Sequence, residues 1–163
     1  MKLQNTNTAR QLISTNKKAY YDYLLEHKLE AGIALQGWEV KSIRASNIQL
    51  VESYILLKNQ QAWLLGAQIP PLSTTCATHM TIDPQRTRRL LLHKKEINRL
   101  TGAKQRAGYT LVPTKLYWHR GKVKLEIALA KGKKQYDKRR VAKTRDWQRE
   151  QARLARHQSP YLR

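Results

Sequence analysis

The sequence predicts a mainly β fold: a small antiparallel barrel, closed or partly open, with flanking helices and a basic C-terminal tail. Two observations favour it, namely two candidate hairpins in the body and a sharp rise in charge density near the C-terminus. A barrel suits several short antiparallel strands because its closure removes exposed sheet edges. A β-sandwich is the alternative, although a basic helix inserted between the hairpins fits a sandwich less well.

The two hairpins are read from apolar runs that flank short polar connections. Residues 53–58 and 62–69 flank the connection 59–61, and residues 109–118 and 122–130 flank 119–121. In the last arm, apolar and polar residues alternate, which places one set of side chains on each face of a strand. The apolar set is Val123, Leu125, Ile127 and Leu129.

The sequence predicts a further strand, a helical turn, a helix and a loop in the body. Residues 31–40 predict a strand with glycines at bends or bulges, and residues 40–44 predict a single helical turn. Apolar residues at helical spacing predict a helix over about 87–104. Paired prolines at 70–71 and an Asp-Pro at 83–84 bracket a loop rich in Ser, Thr and Ala.

The charge is large, one-signed and unevenly distributed. The 163 residues include 32 Lys+Arg and 11 Asp+Glu, a net charge of +21. Such an excess indicates a polyanionic partner, nucleic acid first and an anionic membrane surface second. Residues 1–130 hold 20 basic and 8 acidic side chains, whereas residues 131–163 hold 12 and 3. The last fifth of the chain is therefore about three times as charge-dense as the rest.

Residues 131–163 have too little apolar surface to offset the entropy of chain ordering, so we expect a tail that is mobile in the free protein. Residues 138–157 nevertheless lack Gly and Pro and are rich in helix formers. Trp147 and Leu154 would share one helical face, and Asp137 could cap the helix. A polyanion that neutralises the basic ridge could fold this segment, whereas the plainer alternative is a tail that serves only solubility. The ridge is Arg145, Arg149, Arg153 and Arg156.

Composition excludes several classes of protein. Apolar residues make up 40% of the chain, too many for wholesale disorder. No apolar run approaches the ~18 residues of a membrane span, and the N-terminus has no apolar signal segment. A single cysteine, Cys76, cannot form an internal disulfide. We therefore expect a cytoplasmic protein.

A catalytic site is not evident. The five histidines are scattered, and the pair Cys76 and His79 lies in the Ser/Thr loop, where local adjacency rarely supplies the geometry of a dyad. Residues 131–134 resemble a phosphate-binding loop but lack its leading glycine and its Ser/Thr. We therefore expect no enzyme, no metal and no cofactor. An RNA-acting enzyme that uses Cys76 or the histidines stays open as a minor alternative.

Basic patches at 16–18, 86–106 and 131–140 fit phosphate binding. Nearby aromatic side chains could stack on unpaired bases. Glu30 has two open interpretations: its carboxylate could accept hydrogen bonds from base N–H groups or a 2′-hydroxyl, or it could hold a neighbouring lysine in place.

Four blocks of sequence form a specific combination: Asn-Lys-Lys-Ala-Tyr from 16, Glu-Ala-Gly-Ile-Ala-Leu-Gln-Gly-Trp-Glu-Val-Lys-Ser-Ile-Arg from 30, Arg-Thr-Arg-Arg-Leu-Leu-Leu-His from 86, and Ala-Lys-Gly-Lys-Lys-Gln-Tyr-Asp-Lys-Arg from 130. Together they resemble the bacterial SsrA-binding protein family, small protein B (SmpB). The resemblance runs from about residue 16 to the end. It implies an oligonucleotide-binding (OB) type barrel over 16–130 between a flexible N-terminus, 1–15, and a basic tail, 131–163, that is helical when bound.

The resemblance also implies the function: trans-translation and ribosome rescue. Such a protein binds the tRNA-like domain of transfer-messenger RNA (tmRNA, SsrA) and delivers it to stalled ribosomes. There the tail senses the empty mRNA channel, and peptide tagging follows. Elongation factor Tu-GTP and alanyl-tRNA synthetase take part indirectly through the RNA, and a monomer without membrane contact is expected. The competing hypothesis is a basic structural ribosomal protein.

Site residues follow from the resemblance by motif. Residues expected to face the tmRNA are Asn16, Lys17, Lys18, Glu30, Arg86, Arg88, Arg89, Leu91 and His93. Residues expected at the ribosomal decoding region and along the tail are Lys131, Lys133, Lys134, Tyr136, Asp137, Lys138, Arg139, Trp147 and Leu154. His93 departs from the asparagine usual in many members, whereas Tyr136 keeps a ring that is able to stack.

Overall fold

The computed structural model describes residues 10–73, 82–105 and 108–158. The chain divides into two compact units, Met1–Gly132 and Lys133–Arg163. In the described part of the first unit the strands are β1 Gln11–Thr15, β2 Tyr23–Ile33, β3 Tyr54–Lys58, β4 Gln61–Leu65, β5 Arg88–Leu91, β6 Tyr109–His119 and β7 Lys122–Gly132. Its helices are α1 Lys17–Asp22, α2 Gly37–Arg44 and α3 Lys94–Lys104, and the second unit holds α4 Gln135–Gln158.

The strands form one antiparallel sheet in the order β1-β6-β7-β2-β5-β4-β3. The sheet curls on itself, since β3 at one edge contacts β6 near the other. Inward-facing side chains such as Leu64, Leu111 and Leu125 are fully buried. A partly open barrel of OB type with flanking helices confirms the predicted fold class, and a single continuous sheet excludes the sandwich alternative.

Both predicted hairpins are confirmed, each with a two-residue turn. Asn59 and Gln60 have φ of 51° and 54°, and Arg120 and Gly121 have φ of 51° and 72°. Two successive residues with positive φ are typical of a type I′ turn, whose twist matches the strands it joins. Each connection is one residue shorter than predicted, because Gln61 begins β4 and pairs with Lys58, and His119 ends β6 and pairs with Lys122.

The predicted strand over 31–40 is wrong beyond Ile33. Gly37 begins α2, which ends at Arg44, so the helix is twice the length of the single turn predicted there. A capping contact starts this helix: the backbone N–H of Gln36 donates to Glu39 Oε2 at 2.6 Å. Glu39, Ser42 and Ile43 are buried, so one face of α2 packs against the body while Lys41 and Arg44 stay exposed.

The predicted helix over 87–104 is wrong in its first part. Residues 88–91 form β5, which pairs with β4 on one side and β2 on the other. Burial along β5 alternates, as expected of a strand with one face on the core. Only α3, Lys94–Lys104, keeps the helical pattern, with Ile97 and Leu100 buried.

The ends of the body also differ from the sequence prediction. The expected flexible N-terminus is wrong for 11–15, because β1 pairs with β6; residues 1–9 lie outside the described residues. β7 continues to Gly132, two residues into the predicted tail, and α4 contains the predicted helix over 138–157. Most of the Ser/Thr/Ala loop, with Cys76 and His79, also lies outside the described residues.

Candidate nucleic-acid interface

Glu30 is the centre of a polar cluster on the outer face of the sheet. Its carboxylate accepts a hydrogen bond from the Tyr117 hydroxyl at 2.6 Å. Two cationic side chains and one imidazole approach the same carboxylate: Lys124 at 3.4 Å, Arg10 at 3.5 Å and His119 Nδ1 at 3.8 Å. Glu30 therefore holds neighbouring basic groups, one of the two interpretations left open by the sequence, while 30% of its side chain stays exposed.

The Glu30 carboxyl is ionised in these surroundings. The hydrogen bond from Tyr117, followed by contacts with Lys124 and His119, lowers the pKa of Glu30 despite its partial burial. Burial, and then the bond to Glu30, raises the pKa of Tyr117 to about 12. The cluster thus presents a fixed hydrogen-bond acceptor among cations, which can select groups that donate hydrogen bonds next to phosphates that bind the cations.

Strand β5 separates the arginines that the sequence grouped together. Arg89 lies on the outer face and is exposed, and Leu91 follows it with 55% of its surface exposed. Arg88 points the other way and is completely buried. Arg89 and Leu91 can therefore contact RNA directly, whereas Arg88 cannot.

Arg88 belongs to a buried ion-pair network around Glu39. Its Nε donates to Glu39 Oε1 at 2.7 Å, and its other nitrogens donate to the carbonyls of Ala67 at 2.5 Å and Pro84 at 2.9 Å. Arg86 donates to both carboxylate oxygens of Glu39, through Nε at 2.9 Å and through Nη2. The prediction that Arg88 faces the RNA is wrong, and Arg86, one quarter exposed, is also held mainly by the fold.

The network keeps Glu39 charged inside the protein. Burial opposes ionisation of this carboxyl, but hydrogen bonds from Arg86, the Gln36 backbone and Arg88 outweigh it and lower the pKa of Glu39. Sequence reasoning missed Glu39. The signal was the carboxylate of the Glu-Val-Lys-Ser block, which lies on the side of α2 that faces the protein core. A charge buried there is tolerated only when it is paired.

Asn16 has a structural role. Its side chain is 3% exposed, and its amide donates to the carbonyls of Leu50 at 3.0 Å and Pro113 at 3.1 Å. Its Oδ1 caps α1 by accepting from the Ala19 N–H at 3.1 Å. The prediction that Asn16 faces the RNA is wrong, because every polar atom of the side chain is used inside the fold. It instead fixes the start of α1, which presents Lys17 and Lys18.

These two lysines are exposed on the first turn of α1. Lys18 Nζ lies 3.0 Å from Glu52 Oε1, and this contact raises the pKa of Lys18. Both lysines sit apart from the Glu30 cluster in the contacts of the described residues. They add positive charge to the surface of the body.

A cleft of about 710 Å³ brings four of the sequence-predicted residues together: Glu30, Arg89, Leu91 and His93. His93 precedes α3 and its backbone N–H donates to Glu96 Oε2 at 2.8 Å, which fixes the helix start. Lys94 and Lys124 also line this cleft and were missed. For Lys124 the signal was present, since the alternation along β7 turns it away from the core.

The second unit carries the tail residues on α4. Tyr136, Trp147 and Leu154 are 70%, 64% and 54% exposed, and Asp137 lies in the first helical turn. The predicted basic residues Lys133, Lys134, Lys138 and Arg139 lie at or just before this turn. Lys131 is in the first unit, at the end of β7, with Nζ 5.8 Å from the centroid of the Tyr109 ring. The side chain of Arg156, in the predicted ridge, lies outside the described residues.

The described residues hold neither a candidate metal cluster nor a helix suited to cross a membrane. Among residues 10–73, 82–105 and 108–158 no group of three or more His, Cys, Asp and Glu could hold a metal ion. Within the same ranges none of the helices combines the length and the apolar character needed to cross a membrane.

The chain is similar to known proteins over most of its length. A family model described as SmpB protein matches residues 13–157. An SsrA-binding protein of Alkalilimnicola ehrlichii is 55% identical over 150 residues, covering 92% of this chain and 93% of that protein. An SsrA-binding protein of Pseudomonas paraeruginosa is 57% identical over 145 residues, covering 89% and 91%.

A solved structure agrees with these sequence matches. One chain of "tmRNA-SmpB: a journey to the center of the bacterial ribosome" is 40% identical, with a TM-score of 0.62, and the match covers 75% of this chain and 85% of that one. The resemblance found in the sequence is thereby confirmed. On this evidence the chain belongs to the SmpB protein family.

Proposed function

We propose that this protein is an RNA-binding factor of trans-translation. It binds the tRNA-like domain of transfer-messenger RNA and takes it to stalled ribosomes, and it has no catalytic role of its own. The observation that carries the proposal is the cleft in which Arg89, Leu91 and His93 lie beside the ionised Glu30. The family, whose relatives are SsrA-binding proteins, supports the choice of RNA.

The cleft offers the groups that structured RNA requires. Arg89 and Lys124 can contact phosphates, which positions the RNA without reading its sequence. Leu91 offers an apolar contact to a base or sugar that leaves its stack. Glu30 can accept a hydrogen bond from a 2′-hydroxyl, the group that distinguishes RNA from DNA.

The second unit supplies a different kind of RNA contact. α4 is a 24-residue helix, about 36 Å long at 1.5 Å per residue, with exposed cations and exposed Trp147 and Leu154. We assign it to the ribosome, where a basic helix fits a channel lined by RNA phosphates. Lys131, Lys133, Lys134, Tyr136, Asp137, Lys138 and Arg139 would then act at the decoding region.

The other partners follow from the RNA. Elongation factor Tu-GTP and alanyl-tRNA synthetase act on the tRNA-like domain and so meet this protein indirectly. The protein works as a monomer in the cytoplasm, where the ribosomes are, and requires no cofactor. We propose residues 16–130 as the RNA-binding domain and the following basic segment as the ribosome-sensing part.

The test is to recover the protein from cells and sequence its RNA. One dominant transfer-messenger RNA supports the proposal, whereas a broad spectrum of RNAs overturns it. Washing ribosomes with high salt separates a factor, which is released, from a structural ribosomal protein, which stays at one copy per particle.

The division of labour between the two units is tested separately. A chain ending at Gly132 should keep its affinity for the tRNA-like domain and lose peptide tagging. In the full chain, Trp147→Ala should reproduce the loss of tagging alone. If either change abolishes binding of the tRNA-like domain, the assignment of α4 to the ribosome is wrong.

A further inference from the structure

A second cleft, of about 430 Å³, lies where β2 leads into α2. It is lined by Leu91 of β5, Val40 and Arg44 of α2, and Trp118, Lys122 and Lys124 at the β6–β7 end. It adjoins the Glu30 cleft, because Gly32, Leu91 and Lys124 line both. Its volume is within the range of about 300–1,000 Å³ that is usual for ligand sites.

Two of the side chains that line this cleft are the indole ring of Trp118 and the exposed aliphatic side chain of Leu91. Trp118 is partly buried and packs against the core, while Leu91 is 55% exposed. Glycine at 32 permits this arrangement, since a Cβ there would lie 3.0 Å from the Cβ of Leu91. Gly32, which pairs with Leu91 across the two strands, therefore leaves space for the Leu91 side chain at the boundary between the two clefts.

The rim of the cleft is entirely cationic. Among the described residues that line it, the charged ones are Arg44, Lys122 and Lys124, with no carboxylate. Lys124 also contacts Glu30. In the part of the chain that the structure describes, Arg44 and Lys122 form no ion pair, and both are exposed. An apolar slot with free cations at its mouth complements a flat, apolar group attached to phosphate.

We propose that this cleft binds one unstacked nucleotide of the bound RNA, with the base between Trp118 and Leu91 and its flanking phosphates on Arg44 and Lys122. Stacking on an indole tolerates any base, because every base has a π face. The proposal rests on the proposed function, since the RNA held by the Glu30 cleft is what brings the nucleotide to the adjoining slot. It extends the interface from the sheet face to α2 and the β6–β7 turn.

The phosphate contacts are tested by three single variants of the full chain. Arg44→Ala and Lys122→Ala remove the two rim cations, and Lys41→Ala is the matched control. Lys41 is exposed on the same helix as Arg44 and outside the cleft, so it changes the net charge equally. Affinity for the tRNA-like domain is measured by titration at several salt concentrations, and circular dichroism checks the fold.

We expect each rim variant to weaken binding about tenfold and to reduce the salt slope by about one, as for one lost phosphate contact. Lys41→Ala should change affinity less than about twofold. Rim variants that bind like the wild type overturn the proposal. Equal weakening by Lys41→Ala also overturns it, because the effect then reports total charge.

The stacking contact is tested by two substitutions of similar size. Trp118→Phe keeps an aromatic face and should keep most of the affinity, whereas Trp118→Leu should lose about tenfold, as for one stacked base. Equal affinity of the two variants overturns the base contact. A 4-thiouridine label in the RNA should crosslink to the peptide that contains Trp118, and crosslinking elsewhere only would also refute it.

Two further titrations separate this proposal from the proposed function. If the wild type binds the tRNA-like domain no better than unrelated folded RNA, and the rim and Trp118 variants still weaken binding, the proposed function fails while the nucleotide site stands.

Titration with free adenosine monophosphate distinguishes a nucleotide that belongs to the RNA from a small ligand. We expect no saturation by the free nucleotide in the millimolar range, and submicromolar saturation would overturn the proposal that RNA supplies it.

Discussion

Glu39→Gln is expected to destabilise the body severely, although the two side chains have the same shape. Glu39 is fully buried and its two oxygens face four donors, three from Arg86 and Arg88 and one from the Gln36 backbone. The amide nitrogen of glutamine would place a donor against donors at one of these oxygens. It also leaves the buried charge of Arg88 without its counter-ion.

Breaking a buried ion pair from one side costs about 3–5 kcal/mol. Since folded domains are stable by only about 5–15 kcal/mol, the variant should lose a large share of its stability. At roughly 2–4 °C per kcal/mol for a chain of this size, the midpoint of thermal unfolding should fall by about 6–20 °C. The expected cost is dominated by the stranded charge of Arg88, because Arg86 is partly exposed and can turn to water.

The assay is urea unfolding followed by circular dichroism and tryptophan fluorescence. We expect a lower midpoint with an unchanged m-value, because the surface exposed on unfolding is the same. Glu52→Gln is the control. It removes an equal charge from an exposed pair with Lys18 and should leave the midpoint where it is. A Glu39→Gln protein that unfolds at the wild-type urea concentration would refute the reasoning.

The same carboxylate makes stability depend on pH. The pKa of Glu39 is lowered from 4.5 in the fold. Its ionisation therefore contributes stability that is fully present above about pH 4.5 and is lost as the pH falls through the folded value. Unfolding free energy measured from pH 7 downward should fall less steeply below pH 4.5 in Glu39→Gln than in the wild type. If the unfolding free energies of the variant and the wild type fall equally steeply below pH 4.5, another group controls acid unfolding.

Three further predictions concern the interface. Asn16→Ala should cost about 2–3 kcal/mol in urea unfolding, because it removes a helix cap and the two buried hydrogen bonds that the amide donates to the carbonyls of Leu50 and Pro113; an unchanged midpoint would contradict this. Gly32→Ala should displace Leu91, whose Cβ lies 3.0 Å from the new methyl group, and so weaken RNA binding without loss of helix content; wild-type affinity would show that Leu91 is not a contact. Tyr117→Phe should raise the pKa of Glu30 toward 4.5, because the largest cause of its lowering is removed; carboxyl NMR titration measures this, and an unchanged pKa would refute it.

The hairpins could be predicted from sequence because they are local. Their strand alternation and two-residue turns involve neighbours in the chain, and the type I′ geometry needs no distant contact. The interface cleft could be predicted only as a set of motifs. Its members come from β2, β5 and the start of α3, and no periodicity brings these segments together.

The wrong predictions for β5, Arg88 and Asn16 have one physical origin, which is that these residues are buried against segments far away in the sequence. β5 contains two leucines and two arginines in a run that fits a helix as well as a strand, and pairing with β2 and β4 decides for the strand. That choice turns Arg88 inward and Arg89 outward. The resemblance assigned Asn16 to the RNA, and no local pattern could show its burial, because its partners, Leu50 and Pro113, lie 34 and 97 residues away.

The two units use positive charge in different ways, and this bears on specificity. In the body, a carboxylate at the surface fixes particular cations: Glu30 holds Lys124 and Arg10. Fixed cations can match one arrangement of phosphates and reject others, so they give selectivity for a folded RNA.

The charged side chains of α4 are less constrained by neighbouring groups. Residues 133–163 carry 11 basic and 3 acidic side chains, and the ion pair of Arg149 with Asp146, at 3.9 Å, is 73% exposed on both sides. Adjustable cations bind any dense polyanion, with an affinity that falls steeply with salt. Binding of the tRNA-like domain by the body should therefore resist salt better than binding of ribosomes through α4. A shallow salt slope for the RNA and a steep one for the ribosome is what two differently built surfaces require, whereas equal slopes would mean that the body, too, recognises charge alone.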